Sequence, residues 1–520
     1  MDAAPPDAVE LCATSRWSGH ASPHELAEAL SLILPLLPLD ARACTACVCR
    51  AWRTATVEPT LLQELNFARC AVRVDDATLA MLCARAGAAL RTLDLESDAC
   101  ARVTANGMLA ALRGGGCTGL RRLLMRDGSK EELVRKSLTA EEVQQLAAAC
   151  PRLTHAACAV RCNMWDAAAA AAALPGPLFL NCYHGNGNDA GLTQLAECLR
   201  VNTTLTSMDL RMNNIGALGA TQLAECLRGN TALTSLNLSD NSIGAAGATQ
   251  LAECLRGNAT LTSLDLGDNG IDDAGATQLA ECLRGNATLT SLDLSHNDID
   301  DEGATQLAEC LRGNATLMSL HLRFNNFSAE GATQLAEYLR VNATLTVLDL
   351  SGNGIGDAGA TQLAGCLRVN ATLTSLNLWE NDICDVGATQ LAECLRVNAT
   401  LTSLDLSWND IGDAGATQLA ECLHANATLT SLDLRTNNIG DAGATLLAEC
   451  MRVNATLTSL NLCDNHIGDE GAALLADCLR ENATLSSLNL SENNISDAGA
   501  TQLTEWMHVN ARHASLDLRR

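Results

Sequence analysis

Three cysteines, Cys44, Cys47 and Cys49, stand in a C-x2-C-x-C array. Thiolates at that spacing could begin a zinc site, but structural zinc takes four ligands. No second knuckle follows, so reduced thiols packed between helices are expected instead. A longer set recurs at a fixed interval of 28 residues or its multiples: Cys198, Cys226, Cys254, Cys282, Cys310, Cys366, Cys394, Cys422, Cys450 and Cys478. Tyr338 and Trp506 occupy the same slot. A position that accepts Cys, Tyr and Trp is a packing position, where a free thiol behaves as a small buried hydrophobe. Asn-Ala-Thr recurs from Asn258 to Asn482, and each copy is a formal glycosylation acceptor. These asparagines are expected near helix C-termini, where Asn accepts left-handed backbone. No G-x-x-x-x-G-K-[ST], G-x-S-x-G or H-E-x-x-H stretch is present. No catalytic residue, cofactor or metal is expected, and the chain does not read as an enzyme.

Charge narrows the partners. The net charge of −26 opposes binding to phosphate backbones and favours a neutral or basic protein. Lys130 and Lys136 are the only lysines, so nearly all positive charge is arginine. The start, MDAAPPDAVELCATSRW, is acidic and has no apolar stretch of signal type. The apolar segment 30–39 is short and carries two prolines, too little to span a bilayer. A soluble cytoplasmic or nuclear chain is expected, without nucleic-acid or membrane contacts and with reduced cysteines.

A strict period must place all these residues. From Leu205 the chain repeats every 28 residues, with leading leucines at Leu233, Leu261, Leu289 and onward to Leu485. A fixed period of this length means a solenoid whose units bury their apolar faces on one another. In LTVLDLSGNGIG (345–356), Leu345, Leu348, Leu350 and Ile355 have the spacing of a short strand and its turn. Asn353 follows, and an asparagine recurs there in every complete copy, suited to satisfying backbone groups of neighbouring turns. Asp357 suits a helix N-cap. Ala360, Leu363, Ala364 and Leu367 form a helical apolar stripe. Gly359 predicts a close backbone approach or a special turn. Strand, helix and parallel strand make a crossover unit, with strands inside an arc and helices outside.

The pattern L-x-x-L-x-L-x-x-N-x-I with its GATQLAECL helix resembles the ribonuclease-inhibitor type of leucine-rich repeat over residues 177–520. The resemblance implies an α/β horseshoe solenoid with a binding role. Residues 67–176 resemble the irregular, cysteine-type leucine-rich repeat, with strands at LRTLDL (90–95) and LRRLLM (120–125) and helices at 103–112 and 138–147. Residues 21–66 resemble an F-box, a small all-helical domain, through Pro23, Glu25, Leu26, Leu30, Leu34, Pro38, Asp40, Val48, Cys49, Arg50, Trp52 and Pro59. Residues 1–20 are expected to be disordered. The F-box resemblance implies a substrate-recognition adaptor of an SCF-type ubiquitin ligase. Pro23, Leu26, Leu30, Leu34, Pro38, Val48, Cys49 and Trp52 would then dock on a Skp-type linker and its cullin complex, and the chain would be a monomer outside that complex. The alternative is a scaffold or inhibitor whose N-terminus only caps the solenoid.

Numbering each unit from its first Leu, positions 1, 4, 6 and 11 point into the core and positions 3, 5, 7 and 8 face outward. Positions 7 and 8 vary most between copies. They carry Trp379 with Glu380, Trp408, Arg323 with Phe324, His296 and Arg435, while His321 takes position 5. At a strand spacing of about 4.8 Å, Trp379 and Trp408 should stand roughly 5–7 Å apart and Phe324 about 10 Å from Trp379. These eight residues are the candidate substrate-binding patch. Exposed aromatics among the acids of position 5 would suit a basic protein segment.

Overall fold

The computed structural model describes residues 63–66, 74–95, 100, 102–125, 138–161, 178–181, 189–479, 481–501 and 515–517. The F-box-like residues Pro23 to Trp52, the first 20 residues and Cys44, Cys47 and Cys49 lie outside the described residues. The chain divides into two compact units, 1–213 and 214–520.

In the first unit, strands Glu64–Asn66, Thr92–Asp94, Arg122–Leu124, His155–Arg161, Leu178–Asn181 and Ser207–Asp209 pair in parallel, each with the next. Helices Asp76–Ala86, Ala105–Gly114, Ala140–Ala149 and Asp189–Val201 lie between strands in sequence. Thr139 and Glu142 close a reciprocal capping box at the third of these helices.

The second unit is an α/β solenoid. It carries eleven three-residue strands from Ser235–Asn237 to Ser515–Asp517, and the described helices between them run 11 or 12 residues. The pairing is parallel and in strict register: Ser375 faces Ser403, Leu376 faces Leu404 and Asn377 faces Asp405. In the strands from Ser235–Asn237 to Ser487–Asn489 the central leucine is buried and its neighbours are half-buried, so one sheet face packs on the helices and the other stays open. On the helices, Ala360, Leu363, Ala364 and Leu367 are all buried, as their stripe predicts. Phe327 replaces isoleucine at position 11 and is fully buried.

Three polar ladders join unit to unit. At position 9, Asn409 Nδ2 donates to the carbonyls of Leu378 (2.9 Å), Leu406 (3.1 Å) and Ser407 (3.1 Å). Its Oδ1 accepts from the N–H groups of Asn381 (3.1 Å) and Ile383 (2.9 Å). The Asn-Ala-Thr asparagines form the second ladder. Asn286 Nδ2 donates to Leu255 O (2.8 Å), and its Oδ1 accepts from Thr288 N (2.9 Å) and Leu289 N (2.8 Å). The left-handed backbone expected for these asparagines is absent among the described copies. Their carboxamides stitch adjacent units instead, and those from Asn258 to Asn454 are buried, while Asn482 is half-buried.

The third ladder corrects the cap. Asp357 lies inside its own helix, Gly356–Leu367, and its carboxylate accepts from Cys384 N (2.9 Å) and Gly387 N (2.7 Å) of the following unit. Asp385 likewise caps the next helix through Gly412 N and Gly415 N, both at 2.8 Å. Gly412 is the N-cap residue there and has no side chain of its own to donate to the task. Where a unit carries Asp at this position, the next helix start is thus capped from the unit before it, and an anion also meets the positive end of the helix dipole. Ala217, Ala245 and Ala329 stand there in other copies, and helix Asp273–Leu283 is capped by its own Asp272. The recurring helix glycine is what admits the carboxylate: a Cβ on Gly415 would sit 2.8 Å from Asp385 Oδ1 and 2.8 Å from Ile411 Cγ2. Close approach, not a special turn, explains its return in every copy.

The described cysteines are free. Burial pushes the thiols of Cys282, Cys366, Cys394, Cys422 and Cys450 up to about 12. Cys384 is exposed at the N-cap of helix Asp385–Leu395. Iodoacetamide on the native protein is therefore expected to label Cys384 at least about a hundredfold faster than these buried thiols. Peptide mass spectrometry against a denatured control checks this. Equal native labelling of Cys394 and Cys384 would contradict the packing.

Candidate protein-recognition face

The variable positions 7 and 8 follow each strand in a turn. Position 8 is left-handed in unit after unit, with φ of +53° at His296, +49° at Phe324, +64° at Gly352, +54° at Glu380 and +53° at Trp408. The turn is fixed by a bond to the following unit: Phe324 N donates to Ser351 O (2.8 Å), Gly352 N to Trp379 O (2.7 Å) and Trp408 N to Arg435 O (2.8 Å). Asp, Asn and Gly enter this conformation most readily, whereas a bulky side chain there is strained by roughly 1–2 kcal/mol. Phe324 and Trp408 occupy it nonetheless.

The structure gathers the predicted aromatics into one row. His296 and Phe324 have ring centroids 4.5 Å apart. Phe324 and Trp379 are 5.2 Å apart and edge-to-face, and Trp379 and Trp408 follow at 6.4 Å, also edge-to-face. The Trp379–Trp408 separation matches the strand spacing. The expected gap of about 10 Å between Phe324 and Trp379 does not hold, because the Phe324 ring lies across Gly352, where any Cβ would collide with it. Exposure differs along the row as well. Trp408 is 49% exposed, while Phe324 and Trp379 are half-buried. The Trp379 indole N–H is buried without a hydrogen-bond partner.

Arg323 belongs to the row rather than to the solvent. Its guanidinium carbon lies 5.2 Å from the Phe324 centroid and 6.0 Å from that of Trp379. Its Nη2 is 3.2 Å from His296 Nε2. His321 stands apart from the rings, on its strand among acids. Ser319 Oγ is 2.9 Å from its Nε2 and Asp349 Oδ2 is 3.8 Å from its Nδ1. Asp349, then Asp293 and Asp265, raise the imidazole above its ordinary range against the opposing effect of burial. Glu380 and Arg435 are exposed. Burial raises the Asp405 carboxyl and Asp433 adds to it, while Ser407 and Arg435 oppose. Among the described residues no cluster of His, Cys, Asp and Glu could hold a metal ion, and no helix is long and apolar enough to cross a membrane. The face offers rings, carboxylates and one sequestered guanidinium, which is the chemistry of noncovalent recognition.

Tandem strand–helix units stacked in register, varying most at two turn positions after each strand, define a repeat solenoid. A family profile described as Leucine Rich repeat matches residues 201–224, 229–252, 257–280, 285–308, 313–336, 341–364, 369–392, 397–420, 425–448, 453–476 and 481–503, just over half the chain. The chain belongs to the leucine-rich repeat family. The matched stretches begin at residue 201 and bear on neither the cysteine-type reading of 67–176 nor the F-box reading. No curated protein is significantly similar to the chain. Among solved structures it is similar to the mouse RP105/MD-1 complex, with 18% identity over 78% of this chain and 61% of that one and a TM-score of 0.43. It is also similar to an internalin (inlF) from Listeria monocytogenes str. 4b F2365, with 18% identity, 76% and 90% coverage and a TM-score of 0.38. The leiomodin-1 actin-binding site 2 shares 24% identity over 30% of this chain and 88% of that one, with a TM-score of 0.25. The chain therefore spans about three-fifths of the RP105/MD-1 chain it matches. Leucine-rich repeats suggest protein–protein interaction, and such solenoids are typically non-enzymatic scaffolds.

Proposed function

We propose that this chain recognises a protein partner on the open face of its repeat sheet and is a substrate adaptor of an SCF-type ubiquitin ligase. The observation that carries the recognition half is the row Phe324–Trp379–Trp408. Two of its three rings are held in left-handed positions that the fold alone would fill better with Asp, Asn or Gly. The adaptor half rests on the resemblance of residues 23–62 to an F-box. The test is co-precipitation with a purified Skp-type linker. Wild-type chain should bind it, and polar replacement of Leu26, Leu30 and Trp52 should abolish binding while the circular dichroism of the repeats stays unchanged. A wild-type chain that binds no such linker favours the second reading, a scaffold capped by its N-terminal segment. That reading has its own support, because the first described strand, Glu64–Asn66, begins directly after this segment and a solenoid end needs covering.

A further inference from the structure

Beside the row, a groove of about 260 Å³ opens between the turns of adjacent units, lined by Trp408 with Asp382, Asn409, Asp410, Thr436, Asn437 and Asn438. It has one aromatic wall and two carboxylates, and no basic side chain lines it. Asp410 receives only a long bond from Asn438 Nδ2 (3.4 Å). We infer that this groove takes the guanidinium of an arginine from the protein partner, stacked on the Trp408 indole and paired with Asp382 and Asp410. The inference rests on the reading of the open face as the recognition surface and names the side chain that it selects.

Three observations carry it. The first is that the row already shows the same chemistry satisfied from within. Arg323 places its guanidinium against the neighbouring pair of rings, Phe324 and Trp379, and its buried Nε has no hydrogen-bond partner. The two rings and His296 Nε2 hold it. The second is that the next aromatic in the row, Trp408, is the exposed one and has no cation from this chain over its ring among the described residues. Arg435, one unit beyond, is exposed and acts electrostatically on Asp405 instead. The third is charge: a chain of net charge −26 with carboxylates at this rim attracts a cationic group and repels an anionic one. Arginine suits the site better than lysine because its planar head stacks on an indole while its edge donates to carboxylates.

The test uses the full-length protein and three small probes: acetyl-arginine amide, its neutral isostere acetyl-citrulline amide, and acetyl-lysine amide. Indole N–H signals of Trp379 and Trp408 are followed by NMR during titration. Arginine amide is expected to shift the Trp408 signal, with citrulline amide weaker by roughly tenfold. Asp382→Asn and Asp410→Asn keep the side-chain shape and remove the charge. Each should weaken the arginine response several-fold, roughly the size of one partly exposed charge contact. Trp408→Ser should abolish the saturable response seen through Trp379. Equal shifts from the arginine and citrulline amides would overturn the cation preference and leave the face as a recognition surface. No shift from any probe would overturn the site itself, while linker binding would still report separately on the adaptor reading. A lysine amide that outcompetes the arginine amide would overturn the choice of guanidinium.

Discussion

Asn409→Ala is expected to destabilise the repeat array by at least about 3 kcal/mol. The side chain is 7% exposed and joins five backbone groups of two units. Its loss strands the N–H groups of Asn381 and Ile383 away from water, and each such buried donor costs about 1–3 kcal/mol. Stacked repeats unfold unit by unit as well as globally, so the effect is best read by hydrogen exchange of those two amides alongside a urea melt. Both amides should lose protection, and the units led by Leu373 and Leu401 should open first. Thr402→Ala is the control. Its hydroxyl makes one exposed bond to Thr374 O (3.0 Å), and its removal should shift stability by no more than about 0.5 kcal/mol. An Asn409→Ala protein as stable as wild type would mean that the ladder follows from the fold rather than supports it.

The second large effect separates frame from face. Leu404→Ala should cost about 2–5 kcal/mol, because Leu404 is 1% exposed in the layer between sheet and helices and leaves a cavity there. Trp408→Ser, four residues away, should change stability by less than about 0.5 kcal/mol. Its ring is half in solvent, and the smaller residue relieves some strain of the left-handed backbone. Partner affinity should behave oppositely: near wild type for Leu404→Ala under folded conditions, and lower by about 2 kcal/mol for Trp408→Ser if that ring anchors the contact. Thermal melts paired with binding measurements decide it. A Trp408→Ser protein that melts early and binds fully would place the anchor elsewhere.

The frame was legible in the sequence because the period exposes it. Leu348, Leu376 and Leu404 recur at one spacing, and only burial on a neighbouring copy explains that. The Trp379–Trp408 distance followed from strand spacing alone. What escaped depended on directions that spacing does not encode. The spacing of Phe324 and Trp379 by two units gives a long gap, but a missing side chain at Gly352 lets the ring lean over it. Asp357 has the look of a cap for its own helix, yet the carboxylate points along the stack to Cys384 and Gly387. The Asn-Ala-Thr asparagines follow a helix as C-capping residues do, but their amides reach back 31 residues to a carbonyl of the previous unit, as Asn286 does to Leu255. Each of these is a contact between copies, and a repeat read one copy at a time cannot display it.

Because the asparagine ladders recur from junction to junction, and the aspartate ladder recurs wherever the copy carries Asp rather than the Ala of Ala217, Ala245 and Ala329, one copy can stand next to another with little change. Removing or adding whole 28-residue blocks rejoins asparagine to carbonyl, and aspartate to glycine where the copy carries Asp, whereas a length that is not a multiple of 28 breaks the ladders at that junction. Recombination between such similar coding segments would therefore move the aromatic row along the array in increments of about 4.8 Å and change its length without redesign of the scaffold. The chain is in that sense an adjustable ruler, whose graduations are inherited intact while the marks upon them are free to change.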